Sequence, residues 1–332
     1  MLLVSRTRGL RAAIGCLGCL AVATGVTPSA AGQAAAAPKA PPAVVRAVAG
    51  RPAAPSGPAT ADAPARRPPR GIAAYEAELA NAVTGRRLWG RRPYGRLPTA
   101  SIAKVMTALV VIRSGHLSRR ITITDADESY LGCCIQGAGL VPGDVLTARQ
   151  LLYAMLLPSG ADAAAALAGS YGPGWPRFVA RMNATARRLH LVGTHFTGFD
   201  GVDPGTVSTP RNLLLLGEAA MRHPAFRSVV RRRRYLIRAA PRHHRYFWRN
   251  TNLLLGHYPG VIGIKTGWTP QAGECLLFEA THGKRTLIGV VLRSAPTKTG
   301  QIFAAAAKLL NWGFGLHEPT PVLTEPHRAR LG

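Results

Sequence analysis

Three short groups of residues in this chain could do chemistry together. The first is Ser101-Ile102-Ala103-Lys104. A serine hydroxyl becomes a useful nucleophile only when a base takes its proton. A lysine amine can be that base only where burial or a second cation lowers its pKa. Residues three apart on a helix share a face, so this spacing puts Lys104 beside the Ser101 hydroxyl. The second group is Ser159-Gly160, between two helical patterns in Leu156-Leu157-Pro158-Ser159-Gly160-Ala161-Asp162. The third is Lys265-Thr266-Gly267, preceded by the strand-like Gly260-Val261-Ile262-Gly263-Ile264 and followed by Trp268. At a strand edge it offers a cation, a hydroxyl and a close backbone approach, which together suit a substrate carboxylate. Taken singly, each group is common. Ser-x-x-Lys is also a helix cap followed by a surface lysine, Ser159-Gly160 a plain turn with a cap, and Lys265 a solvated edge lysine.

These residues need elements to hold them. Ile102, Val105, Met106, Leu109 and Val110 recur at helical spacing and Gly115 stops the run, so Ser101 falls in the first turn of a helix. Further helices are predicted over 146–155, 161–168, 175–189, 213–221 and 301–310. Residues 77–89 read as a hairpin turning at Thr84-Gly85, and 121–124 as a short strand. The segments 275–280 and 286–292 read as strands joined at His282-Gly283-Lys284. Strands at both ends with helices between predict an α+β fold: one sheet whose two halves meet, flanked by helices, with a helical subdomain inserted.

With 332 residues, 47% of them hydrophobic, the chain has ample material for a core. The formal charge of +27 comes mostly from Arg and favours an anionic partner: nucleic acid, anionic lipid or anionic cell-wall polymer. The N-terminus narrows this choice. Arg6, Arg8 and Arg11 precede an apolar run over 12–26, and small residues cluster at Ser29, Ala30, Ala31 and Gly32. This is the pattern of a secretory signal peptide over 1–31; the run is shorter than the ~20 residues a spanning helix needs. A secreted or cell-envelope location sets nucleic acid aside. Residues 32–71, dominated by Ala and Pro, read as a spacer that cannot fold. The folded domain is expected over 72–318, with a short tail over 319–332. Cys16 and Cys19 would leave with the signal. Cys133, Cys134 and Cys275 lack metal-ligand spacing; one of the adjacent pair could bond to Cys275, or all could be buried thiols. No metal or cofactor is expected. The basic stretch of Arg231 to Arg234 and His243-His244, around Tyr235 and Trp248, has no accompanying carboxylate in sequence and reads as a solvated face that could meet an anionic wall polymer. Asp200-Gly201 reads as turn chemistry.

In this order and at these separations, the three groups resemble the serine penicillin-binding and β-lactamase superfamily, and within it the D-alanyl-D-alanine carboxypeptidases of low molecular mass. The likeness runs over about 77–314. It takes in Val105-Met106-Thr107-Ala108, Val141-Pro142-Gly143-Asp144, Phe178-Val179-Ala180-Arg181-Met182-Asn183, Gly193-Thr194-His195-Phe196, Asn250-Thr251-Asn252 and Asn311-Trp312-Gly313-Phe314. The resemblance implies an antiparallel sheet flanked by helices. It implies that Ser101 attacks the carbonyl of a penultimate D-alanine on a peptidoglycan stem peptide, and that Lys104 accepts its proton. The N–H groups of Ser101 and Trp268 would form an oxyanion hole. Ser159 and Lys265 would pass a proton to the departing D-alanine, and Thr266 would bind the terminal carboxylate. β-Lactams would trap the enzyme covalently. A D,D-transpeptidase of the same fold is the near alternative, and a catalytically weakened wall-binding protein the distant one. Two departures from the family pattern stand out. Ala161 replaces the asparagine of the usual Ser-x-Asn motif, and Ile302 stands where a basic residue often lies, with Lys298 nearby.

Overall fold

The computed structural model describes residues 67–131, 135–294 and 300–316. A hairpin of β1 (Glu76–Asn81) and β2 (Arg87–Arg91) opens the fold, and β3 (Leu97–Pro98) leads into a 3₁₀ turn over Ala100–Ala103. Helices and short strands follow: α1 (Lys104–Ser114), β4 (Arg120–Thr122), α2 (Asp125–Ser129), β5 (Val145–Thr147), α3 (Ala148–Leu156), α4 (Ala161–Tyr171) and α5 (Trp175–Arg188). After them come β6 (Val207–Ser208), α6 (Pro210–Met221), α7 (Pro224–Val230), and a second hairpin of β7 (Arg234–Ile237) and β8 (Tyr246–Arg249). The long strands β9 (Val261–Thr269), β10 (Gly273–His282) and β11 (Arg285–Ser294) precede α8 (Gln301–Phe314).

The main sheet runs β2-β1-β11-β10-β9, with every neighbouring pair antiparallel. Its two halves join where β1 meets β11, from Glu76 opposite Leu292 to Asn81 opposite Leu287. The sequence predicted this meeting. β10 and β11 are buried through most of their length without in/out alternation, so both faces must be covered. On one face α8 packs Ile302, Phe303, Leu309 and Leu310 against Leu79, Leu276, Phe278 and Val291. On the other, α6 packs across β1, β10 and β11. Ile302 is thus a core residue.

The helical part sits between β2 and β9 in the chain. Its centre is α1, which is buried on all sides from Lys104 to Val111 and packs against α3, α4, α5, α6 and α7. A helix apolar all round belongs in an interior, and here one cation is buried with it. The helix predicted over 146–155 begins at Ala148, because Leu146 belongs to β5, which pairs with β4. Thr147 and Gln150 cap each other reciprocally at that start. Before Ile72 the chain already lies along α8: the Arg67 and Gly71 carbonyls accept from Trp312 Nε1 at 2.7 Å and Lys308 Nζ at 3.2 Å. The expected signal, most of the spacer, Cys133, Cys134, Lys298 and the 319–332 tail lie outside the described residues.

Candidate active site

Ser101 lies in the 3₁₀ turn and Lys104 opens α1. In a 3₁₀ turn side chains at i and i+3 eclipse, so the Ser-x-x-Lys spacing brings the two groups together more directly than an α-turn would. Lys104 Nζ stands 2.9 Å from Ser101 Oγ. The turn is clamped from both sides. On one side, Thr99 N–H donates to Thr206 O at 3.3 Å and β3 pairs with β6. There Gly201 passes so close that a Cβ would sit 1.9 Å from Ala100 O. On the other side, β9 is the edge strand of the sheet, and a Cβ on Gly267 would lie 2.9 Å from Ser101 N. Ala100, between these walls, takes φ +46°, a left-handed conformation that a residue with a Cβ holds only when its surroundings impose it.

The environment of Lys104 follows from this clamp. Its amine is fully buried and donates to Asp200 O at 3.3 Å as well as facing Ser101. Burial pulls its pKa below the ordinary lysine value, while the carboxylates of Asp200 and Asp162 push the other way. A neutral Lys104 that gives an N–H to the Asp200 carbonyl keeps its lone pair for the Ser101 proton. Lys265 is also buried, with Nζ 2.9 Å from Thr266 O. Burial and the Lys104 charge together hold it well below the lysine range. The repulsion between the two amines is mutual, so a charge on either one disfavours a charge on the other.

Ser159 is buried and adopts φ +72° in the turn before α4. The turn is tied to β9 through Thr251. Thr251 N–H donates to Leu157 O at 3.1 Å, and its hydroxyl is hydrogen-bonded to that of Thr266. Ala161 opens α4 fully buried, its N–H donating to Gln136 O at 2.9 Å. Beside it the Asp162 carboxylate accepts from the N–H groups of Ala138, Leu140 and Ala163. Trp268 is 53% exposed at the end of the edge strand. Ser101, Lys104, Lys265, Thr266 and Gly267 thus meet where the 3₁₀ turn and the start of α1 face β9, and the Ser159 turn is tied to the same strand through Thr251.

Sequence reasoning missed Asp200 and Thr251. Asp200-Gly201 does form a turn, with φ +83° at Gly201, but its carbonyl also holds the lysine. The basic stretch is the β7–β8 hairpin. Tyr235, Ile237, Tyr246 and Trp248 face inward, and Tyr235 stacks on Tyr153 with ring centroids 3.8 Å apart. A carboxylate does accompany its histidines: Asp144 lies 2.9 Å from His244 Nδ1 and also bonds to Tyr246 Oη. The sequence could not show this, because Asp144 and His244 are 100 positions apart. Cys275 is a buried free thiol whose pKa burial pushes up to about 12.

The chain is similar to several proteins of known family. The profile of the D-alanyl-D-alanine carboxypeptidase family matches residues 61–296. A D-alanyl-D-alanine carboxypeptidase of Streptomyces sp. (strain K15) is 39% identical over 259 residues, 74% of this chain and 88% of that one. A D-alanyl-D-alanine carboxypeptidase of Mycobacterium tuberculosis is 34% identical over 252 residues, covering 74% of this chain and 83% of that one. The crystal structure of the Streptomyces K15 DD-transpeptidase superposes with a TM-score of 0.70 at 38% identity, over 75% of this chain and 100% of that one. The sheet with its inserted helices is therefore the penicillin-binding fold. Family profile, relatives and fold converge: the chain belongs to the serine-type D-alanyl-D-alanine carboxypeptidase family.

Proposed function

We propose that the chain is an exported serine D,D-carboxypeptidase that removes the terminal D-alanine from peptidoglycan stem peptides through an acyl-enzyme on Ser101. The observation that carries this reading is a buried lysine amine 2.9 Å from a serine hydroxyl. Neutral Lys104 takes the Ser101 proton as Oγ attacks the carbonyl of the penultimate D-alanine. The N–H groups of Ser101 and Trp268 receive the tetrahedral oxyanion, and Gly267 lets β9 come close enough for this. Ser159 and Lys265 relay the proton from Lys104 to the departing D-alanine nitrogen, while Thr266 holds its carboxylate. Water then cleaves the ester and frees Ser101. A β-lactam offers the same carbonyl and leaves a stable acyl-enzyme. Purified protein incubated with a stem peptide ending in D-Ala-D-Ala should release D-alanine, and Ser101→Ala should not. No release, under conditions where labelled penicillin bonds to Ser101, contradicts the hydrolase reading.

The likeness to the K15 DD-transpeptidase favours a second reading, in which an amine replaces water as acceptor. Adding a D-amino acid or glycyl peptide and measuring the ratio of transfer to hydrolysis separates the two. Ala161 motivates a third, a wall-binding protein of weak catalysis. Cell-wall phenotypes that survive Ser101→Ala but not loss of the basic hairpin would favour it. For that hairpin we propose contact with an anionic cell-wall polymer: the arginines of 231–249 are all exposed, and the segment holds no Asp or Glu. Binding of the full chain to wall fragments should weaken steeply with salt. Export rests on the residue pattern of 1–31, and among the described residues no helix is long and apolar enough to cross a membrane. The N-terminal sequence of protein recovered from the envelope tests cleavage of that segment.

A further inference from the structure

We propose that Thr251 sets the direction of the Thr266 hydroxyl proton and thereby tunes the site toward ligands ending in a free carboxylate. This rests on the reading that Thr266 receives that carboxylate. Thr251 belongs to the segment between β8 and β9, which Asn250 pins in place. Asn250 Nδ2 donates to Val230 O at 3.2 Å and Arg232 O at 3.0 Å, and its Oδ1 accepts from Asn252 N–H at 2.9 Å. So held, Thr251 has two hydroxyl neighbours: Thr266 Oγ1, and the Leu157 carbonyl oxygen at 3.4 Å.

Proton counting limits what this row can do. Each hydroxyl has one proton and two lone pairs, and a carbonyl only accepts. With no ligand, every proton finds an acceptor if Thr266 donates to Thr251 and Thr251 donates to Leu157 O. A carboxylate also only accepts, so when it reaches Thr266 it needs that proton. Thr266 then turns its proton outward, and Thr251 turns its own onto Thr266 Oγ1. Leu157 O is not stranded by the reversal, because it keeps the Thr251 N–H at 3.1 Å. The row therefore exchanges one long bond for a charge-assisted one. A hydroxyl that accepts one hydrogen bond is polarised to donate another more strongly. Thr251 acts through Thr266 and is a positioning residue. It also links Leu157, two residues before Ser159, to the strand that carries Thr266.

The experiment compares acylation of Ser101 by benzylpenicillin, which carries a carboxylate, with acylation by its methyl ester, which does not. It uses the full chain as wild type, Thr251→Val and Thr251→Ser. Thr251→Val keeps the shape and removes the hydroxyl. We expect it to lower the penicillin-to-ester rate ratio about tenfold, the size of one charge-assisted hydrogen bond, with the ester rate changed little. Thr251→Ser should restore the ratio to within about twofold by the same reasoning. Should Thr251→Val not fold, Thr251→Ala reads the same ratio. Equal slowing of both acylations, or an unchanged or higher ratio, overturns the proposal. Acylation with the expected ratios but without D-alanine release from stem peptide would overturn the carboxypeptidase reading alone. Release of D-alanine with a ratio indifferent to Thr251→Val would overturn this inference alone.

Discussion

Gly267→Ala is the most informative perturbation of the site, because its effect can be worked from backbone positions alone. An added Cβ would lie 2.9 Å from Ser101 N, 3.0 Å from Ala100 Cβ and 3.1 Å from Thr99 O. All three atoms belong to the nucleophile turn, and two are backbone, so no side chain can swing away to make room. Behind Gly267 the strand is fixed by its ladder to β10, where Gly267 faces Cys275. Behind the turn, Gly201 presses on Ala100 O. The clash is relieved only by parting β9 from the turn by a few tenths of an ångström, which widens the gap between the Ser101 N–H and the strand. Overpacking of this kind costs about 1–3 kcal/mol, or a Tm loss of roughly 2–12 °C for a domain of this size. A misplacement of about 1 Å costs up to about 10²-fold in rate, so a few tenths of an ångström should cost roughly tenfold. We therefore expect Gly267→Ala to remain folded, as read by circular dichroism and thermal melting. Its labelling by fluorescent penicillin, followed as a second-order rate, should fall about tenfold. A variant that acylates within about threefold of wild type, well short of that loss, would refute the assignment of the turn–strand gap to catalysis.

Three further outcomes are expected. Acylation should fall as pH drops through the lowered pKa of Lys104, because protonation removes the base. Asp200→Asn keeps the Oδ1 that accepts from Val202 N–H at 3.1 Å but deletes a charge that favours the ammonium. The acid limb should therefore move to lower pH. A nearby opposite charge shifts a pKa by about 1–3 units, so acylation at a fixed pH on that limb should rise about tenfold or more. A limb that stays put, or moves up, contradicts the role given to Asp200. Glu279 is pushed up to about 7 by burial, with Arg227 opposing and Glu218 adding to the rise. The native state then binds more protons than the unfolded chain between the two pKa values, so stability is full in acid and lost as pH rises through about 7. Glu279→Gln should remove roughly 3 kcal/mol of that decline, seen as urea midpoints that differ less between mildly acidic and mildly alkaline pH; an unaltered slope counts against it. Ala161 is 0% exposed at the start of α4, so Ala161→Asn should lower Tm and leave acylation no faster. A rise of tenfold or more, about 1.4 kcal/mol of regained transition-state binding, would mean that the natural site is catalytically weakened.

Much of this site was legible because its chemistry is local. Ser101 and Lys104 are three residues apart, Lys265, Thr266 and Gly267 are contiguous, and the apolar spacing after Ser101 marks a helix. The meeting of β1 and β11 also followed from strands lying at both ends of the chain. What the sequence hid is non-local. Asp200 reaches Lys104 across 96 positions, and an Asp-Gly pair advertises a turn, not a hydrogen-bond acceptor for a buried amine. Thr251 meets Leu157 across 94 positions and Thr266 across 15, with no spacing rule to connect them. The β7–β8 hairpin did carry a signal, since Tyr235 and Ile237 point in while Leu236 points out, and Tyr246 and Trp248 point in while Phe247 points out. The density of arginine around it obscured that alternation. Strand β5 was absorbed into a helix because Leu146 continues the apolar pattern of α3, although Thr147 and Gln150 marked the true start.

The central claim is that Ser101 is the nucleophile and Lys104 its base, and peptide mapping tests it most directly. The intact chain is incubated with benzylpenicillin, digested, and searched by mass spectrometry for the penicilloyl adduct, alongside Ser101→Ala and Lys104→Met. The adduct should appear on Ser101, be missing in Ser101→Ala, and form at least about 10²-fold more slowly in Lys104→Met with Ser101 intact. An adduct on another residue, or wild-type labelling in Lys104→Met, would contradict it.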